Sequence, residues 1–147
     1  MRLARAKADA GRERFPRTWV IGSDQVAELD GKPVGKSGSA DAARSQLRSM
    51  SGRTVLFHTA LCVARPGGDG HLEDLVTTEV AYRQLTEEEI ERYIAREPAF
   101  DCAGSAKSEG LGIALLEHLR GDDPTALIGL PLVSLARMLR AEGFELP

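Results

Sequence analysis

The chain has 147 residues, 42% of them hydrophobic and 28% charged, with a formal net charge of −3. That length fits one globular domain with a core of ordinary size, and the composition excludes a disordered chain. The charge balance offers no broad basic surface for nucleic acid, and no apolar run approaches the roughly 18 residues of a membrane span.

The N-terminal stretch MRLARAKADAGRERF is basic but lacks an apolar core, so it does not read as a secretory signal. Its alanine-rich composition predicts a helix over Arg2–Arg14 with no residue placed to cap its start. Thr18–Ile21 predicts a strand, which Gly22-Ser23-Asp24-Gln25 interrupts before apolar character resumes over Val26–Leu29. Asp30-Gly31 is a hairpin signal, and Lys32-Pro33-Val34 a short return strand suited to a sheet edge. Ser39 is placed to cap a helix over Ala40–Met50, with Ala43, Leu47 and Met50 on one face and Gly52 past its end. Thr54–Ala64 and Leu75–Leu85 predict a long antiparallel pair joined by a loop at Pro66-Gly67-Gly68-Asp69-Gly70.

Thr86 and Glu89 form a capping box ahead of a helix that carries Ile90, Tyr93 and Ile94 and stops before Pro98. Asp101–Gly112 is rich in glycine and poor in large apolar groups, as a working loop is. Ile113–Leu119 predicts a further strand, and Asp122-Asp123-Pro124 a turn. Pro131 suits the first position of a final helix, with Leu132, Leu135, Met138 and Leu139 as its buried stripe and Gly143 at its end. The mixture of elements predicts an α+β or α/β fold around a sheet with much antiparallel pairing.

Three places carry residues suited to chemistry. Asp24, at the end of a strand, is suited to binding a divalent cation through oxygen or accepting a proton from water; the alternative is a turn aspartate capping a neighbouring amide. Lys36, beside Gly35, can approach a phosphate as a point charge, or be an ordinary solvated lysine. Gly104-Ser105-Ala106-Lys107-Ser108-Glu109-Gly110 can turn backbone amides toward an anion, with Lys107 and Ser108 as added donors; an ordinary mobile loop is the alternative. Glu109 is out of place against a phosphate but suits the N–H edge of a base such as guanine. His58, His71 and His118 lack zinc-ligand spacing, and His58 reads as structural. Cys62 and Cys102 lack a Cys-x-x-Cys spacing, read as inert and fit a reducing cytoplasm. Together these features favour a phosphorylated small molecule handled with a divalent ion.

At these residues the sequence resembles the Maf family of nucleoside triphosphate pyrophosphatases. The match runs in order through Arg2-Leu3-Ala4-x-x-Lys7-Ala8, Val20-Ile21-Gly22-Ser23-Asp24-Gln25-Val26, Leu29-Asp30-Gly31 and Gly35-Lys36. It continues through Gln46-Leu47, Ser51-Gly52, Tyr82-Arg83-x-Leu85, Glu89-Ile90-x-x-Tyr93, Cys102-Ala103-Gly104-Ser105-x-Lys107-Ser108-Glu109-Gly110 and Gly129-Leu130-Pro131-Leu132. Gly-Ser-Asp-Gln together with the Cys-Ala-Gly-Ser-x-Lys-Ser-Glu-Gly loop resembles the subgroup acting on 7-methyl-GTP; relatives acting on dTTP and UTP usually carry Thr after the Asp and Gln in place of the Glu.

The resemblance implies an α/β fold like that of the inosine triphosphate pyrophosphatases, a mixed sheet with flanking helices and a nucleotide cleft between two lobes. It implies cleavage between the α- and β-phosphates, with Asp24 as proton acceptor, Gln25 and Glu109 setting substrate choice, and Lys7 and Lys36 binding phosphate. It further implies a divalent cation, Mg or Mn, a nucleoside triphosphate as the partner, a cytoplasmic setting and compatibility with a homodimer. The family's opening strand, its Ser-x-Ser-x-Arg-Arg motif and the acidic pair after it do not occur in residues 1–147. That predicts a single domain N-terminally truncated by about a quarter of a typical member, or a start placed too late. On the truncated reading, turnover of 7-methyl-GTP is poor and apolar sheet surface is exposed. The alternative function is a non-catalytic or inactive nucleotide-binding protein, with a regulatory role in cell division.

Overall fold

Helix α1 (Arg2–Arg14) opens the chain with no side-chain cap, as its composition predicts. The structure, a computed structural model, describes residues 1–68 and 70–147; Asp69 of the predicted loop lies outside the described residues. Strand β1 (Val20–Leu29) turns through Asp30 and Gly31, both at positive φ, into β2 (Lys32–Val34). Helix α2 (Ala40–Met50) starts at Ser39, whose side chain accepts from the Ala42 amide. Strands β3 (Thr54–Ala64) and β4 (His71–Tyr82) follow, and then α3 (Glu87–Arg96), with both halves of the Thr86–Glu89 capping box formed. A 3-10 segment at Leu111–Leu115 leads into β5 (Leu116–Arg120), and another at Ala126–Ile128 precedes α4 (Leu132–Ala141).

The sheet order is β2-β1-β3-β4-β5. The β1–β2 ladder is antiparallel, pairing Ala27 with Val34 and Leu29 with Lys32. The β4–β5 ladder is also antiparallel, with a register shift between Ala81 and Tyr82. Because β2 pairs only with Ala27–Leu29, residues 20–26 of β1 have no strand on their outer side among the described residues, and Ile21 and Val26 are exposed. The α/β class inferred from the sequence is the class observed.

The chain divides into two compact units. The first comprises Met1–Gln25, Thr59–Thr77 and Asp122–Pro147. Its strands carry a helix on each face. Ala4 and Ala8 of α1 are fully buried with Ala60, Cys62 and Ala64, and Val20 packs against this cluster. Leu135 and Met138 of α4 are buried with Leu61 and Val63, joined by Trp19, Leu72, Leu130 and Leu139. Small residues on one face and large ones on the other let α1 approach more closely than a leucine-bearing helix can. The second unit comprises Val26–His58 and Thr78–Gly121. There α2 packs beside α3, burying Leu47, Met50, Ile90, Tyr93 and Ile94, while Arg44 pairs with Glu91 and Arg48 with Glu87 along the exposed side.

Four sequence expectations need correction. Strand β1 runs unbroken through Gly22-Ser23-Asp24-Gln25 rather than stopping there, because its polar side chains find hydrogen-bond partners on neighbouring elements. Strand β4 begins at His71 and ends at Tyr82, not Leu75–Leu85, as His71 and Glu73 are held by α1. The strand expected from Ile113 starts only at Leu116, and Ile113 is 50% exposed within a 3-10 turn. Pro131 precedes α4 instead of opening it, and Leu132 is 48% exposed while Ser134 takes a buried position. That helix start is capped from outside: the carboxylate of Asp123, only 3% exposed, accepts from the amides of Val133 and Ser134.

Candidate active site

Within the first unit, β1 passes so close to α1 that Gly22 has no room for a side chain. A Cβ there would sit 2.2 Å from the Ala4 carbonyl oxygen and 2.7 Å from the Ala8 amide nitrogen. This close approach brings Lys7, on α1, to Asp24, two residues along the same face of β1. Lys7 Nζ donates to Asp24 Oδ1 at 2.7 Å and to the Ser23 carbonyl at 2.8 Å. The Asp24 carboxylate is half-buried while the lysine head remains open to solvent. An ammonium has three hydrogens, so one remains for an incoming anion.

Two side-chain contacts flank Lys7 on α1. Arg5 grips Glu73 with two nitrogens, at 2.7 and 2.6 Å, and holds that carboxyl below its ordinary range. Asp9 meets His71 at 2.8 Å, and that hydrogen bond likewise holds the Asp9 carboxyl low. Both pairs tie α1 to β4.

The opposite face of β1 carries Ser23 and Gln25. Ser23 Oγ lies 2.9 Å from the Ala60 carbonyl and 2.7 Å from that of Gly129. Gln25 Nε2 donates toward Thr59 Oγ1 at 2.9 Å and the carbonyls of Ala126 and Leu127 at 3.1 and 3.0 Å. The 126–129 segment ends at Gly129, whose φ of +117° is a conformation glycine tolerates. Asp123 steadies this segment too, accepting from the Thr125 amide and hydroxyl at 3.0 and 2.6 Å. Burial alone would raise the Asp123 pKa; the bonds from Thr125, Val133 and Ser134 outweigh it and hold the carboxyl below its ordinary value.

The second unit holds the remaining predicted residues. Lys36 forms an isolated antiparallel bridge with Ala103, at the start of the glycine-serine loop. Gln46 on α2 clamps both strands of this bridge: its Nε2 donates to the Gly35 carbonyl at 2.9 Å, and its Oε1 accepts from buried Ser105 Oγ at 2.6 Å. Lys107 donates its backbone amide to the Tyr93 hydroxyl and places its ammonium 3.4 Å from Asp101. Glu97 accepts from the Gly112 amide at 3.1 Å. Ser108 is half-buried and Glu109 exposed on the resulting turn.

The structure therefore joins Lys7 to Asp24, and Lys36 to the loop bearing Lys107, Ser108 and Glu109. Gln25 lies beside Asp24 in sequence but on the other face of the strand. Sequence reasoning did not find Thr59 or Asp123, whose roles depend on residues far along the chain, nor that Gln46 is the clamp of the loop. Burial pushes the Cys62 thiol up to about 11, which keeps it protonated and unreactive. His58 pairs with Glu28 within the sheet, consistent with a structural role.

No three His, Cys, Asp or Glu side chains gather into a metal-binding group among the described residues. A magnesium-type ion in a nucleotide enzyme needs only one or two protein carboxylates, with phosphate oxygens and water completing its shell. The half-buried carboxylate of Asp24 meets that requirement. Among the described residues, no helix is long and apolar enough to cross a membrane.

Residues 1–142 match the model of the family described as Maf-like protein. The chain belongs to the Maf family. A 7-methyl-GTP pyrophosphatase of Xanthomonas oryzae pv. oryzae is 58% identical over 146 residues, which cover 99% of this chain and 76% of that protein. A Maf relative of the same name from Aromatoleum aromaticum is 55% identical, across 99% of this chain and 75% of its own length. One from Polaromonas sp. is 52% identical over 99% of this chain and 66% of its own.

Proposed function

We infer that the chain is a nucleoside triphosphate pyrophosphatase that hydrolyses 7-methyl-GTP to 7-methyl-GMP and pyrophosphate. The observation that carries this reading is the 58% identity to a 7-methyl-GTP pyrophosphatase over 99% of the chain. The 2.7 Å contact between Lys7 and Asp24, which joins two of the segments that carry the resemblance, supports it.

Asp24 accepts a proton from the water that attacks the α-phosphorus. The bond from that phosphorus to the oxygen bridging the β-phosphate breaks, and pyrophosphate leaves with that oxygen. Lys7 fixes the carboxylate through one hydrogen and offers another to a phosphate oxygen, opposing the charge that builds on the leaving group. Lys36, Lys107 and Ser108 supply further donors to the phosphate chain. Glu109 accepts from the N–H edge of the base, and its charge favours a cationic 7-methylguanine over neutral guanine. Asp24 would hold a divalent cation, Mg or Mn, which supplies positive charge to the phosphates when bound. The free thiols of Cys62 and Cys102 fit a reducing cytoplasm, where nucleotide pools reside.

The test is pyrophosphate release from 7-methyl-GTP, GTP, dTTP and UTP, with magnesium or manganese. The expected outcome is the highest kcat/KM for 7-methyl-GTP. A preference for dTTP or UTP overturns the substrate assignment, and no release from any of the four by folded protein overturns the reaction.

A further inference from the structure

A cluster of arginines lies wholly within the second unit, where α3 meets the Leu111–Leu115 segment. A cavity of about 190 Å³ opens there, with the buried side chains of Tyr93 and Leu115 among its walls. Arg83, Arg92 and Arg96 line it against a single carboxylate, Glu89, which leaves a surplus of positive charge. Both Glu89 oxygens are engaged: Oε1 accepts from Arg83 Nη2 at 3.1 Å and Oε2 from the Thr86 amide at 2.9 Å. Arg83 is fixed in place. Its backbone amide donates to the Leu115 carbonyl at 3.0 Å and its Nε to the Ala114 carbonyl at 2.9 Å. After these bonds three of the five N–H groups of its guanidinium remain to be given. Arg92 and Arg96 stand one helical turn apart and make no hydrogen bond or ion pair among the described residues, although the charge of Arg92 is felt by Glu88 and Glu89. The helix dipole accounts for Arg96 in the last turn of α3. It does not account for Arg83, which reaches the same cavity from outside that helix.

We propose that this cavity binds a small phosphate-type anion, inorganic phosphate or pyrophosphate. Guanidinium forks match the paired oxygens of a phosphoryl group, and a pre-positioned fork loses little freedom when it binds one. The apolar walls strengthen the attraction by keeping water away from it. Volume decides the size of the ligand. Pockets for drug-sized molecules measure about 300–1,000 Å³, so this one suits an inorganic anion and is too small for a whole nucleotide. None of Lys7, Lys36, Lys107 and Ser108 lines it, so the site adds to the phosphate contacts proposed above and does not repeat them. It also touches the loop that carries some of those contacts. The Tyr93 hydroxyl accepts from the Lys107 amide, and Leu111 directly follows Gly110, so an anion held here braces the far end of the loop. Binding does not depend on the chain's reaction. If pyrophosphate is the product, occupancy rises with turnover.

The experiment titrates the whole chain with phosphate, with pyrophosphate, and with chloride at matched ionic strength. The readout is the NMR signal of the Arg83 Nε–H group, assigned through Arg83→Lys. Two variants are compared: Arg92→Gln with Arg96→Gln, and Lys36→Gln. Glutamine removes the charge and keeps the helix propensity. The expected result is a saturable Arg83 shift with a Kd of about 1 mM or tighter for at least one of the two anions, and no such shift with chloride. The tighter of the two is the ligand. In the double variant this binding is expected to weaken about tenfold or more, and in Lys36→Gln to stay unchanged. Unfolding midpoints in urea check that the variants fold; if the double variant does not, Arg96→Gln alone is expected to weaken binding about threefold. A shift that chloride reproduces, no saturation by either anion, full affinity in the arginine variants, or an equal loss in Lys36→Gln each overturns the proposal.

Discussion

The Lys7–Asp24–Gln25 region and the Gly104–Gly112 loop carry comparable numbers of polar groups but hold them differently. In the first, the side chains assigned to function above sit on regular elements and are themselves bound: Lys7 to Asp24, Gln25 to Thr59 and Leu127. In the second, it is the scaffold that is bound. Ser105 is fastened to Gln46 and Gly112 to Glu97, while Glu109 projects from the turn. A group that must transfer a proton at a fixed point benefits from a rigid element. A group that meets a base edge tolerates a loop, provided the loop's backbone is anchored.

The sharpest way to break this contrast is Gly22→Ala. The added methyl would meet backbone atoms of α1 at 2.2 and 2.7 Å, which cannot rotate away. The expected cost is about 3 kcal/mol in urea unfolding, because α1 must move off the sheet. Pyrophosphate release falls with it, since Lys7 leaves Asp24. Retention of both stability and activity would show that the close approach does not matter.

Ser105→Ala tests the other region. Ser105 is buried, and its loss leaves Gln46 Oε1 without its partner. The expected destabilisation is about 1–2 kcal/mol, with KM rising more than kcat falls. Equal effects on kcat and KM would contradict the picture of a loop that binds substrate without doing chemistry.

A smaller effect comes from Asp123→Asn, at about 1 kcal/mol near neutral pH, by the loss of a charged cap. The folded pKa of Asp123 lies below its ordinary value, so its contribution is present above the unfolded pKa of about 3.9 and fades as pH falls through the folded one. The gap between the two proteins, read from urea midpoints, therefore narrows on acidification from neutral into the acid range. A gap that widens contradicts the assignment of Asp123 as an ionised cap.

Local signals were legible in the sequence wherever neighbours along the chain determine structure. The Ser39 cap, the Thr86–Glu89 box and the Asp30-Gly31 turn all formed as their residue types require. What was not legible depends on distant partners. Polar residues in β1 read as a break because their partners lie at positions 7, 59, 60 and 126–129. Asp123 read as a turn because the amides it caps begin at Val133. The residue types at Asp24, Lys36 and the glycine-serine loop marked where chemistry can sit. The partners of Gln25 and of the loop, Thr59 and Gln46, carry no local mark of that role.

The most direct test of the account is pyrophosphate release from 7-methyl-GTP by this chain and by Asp24→Asn, measured side by side with magnesium. Loss of a general base predicts a fall in kcat of about a hundredfold or more in the variant, with its unfolding midpoint near that of the unsubstituted chain. Equal turnover by the two proteins would contradict the assignment of Asp24 as the proton acceptor.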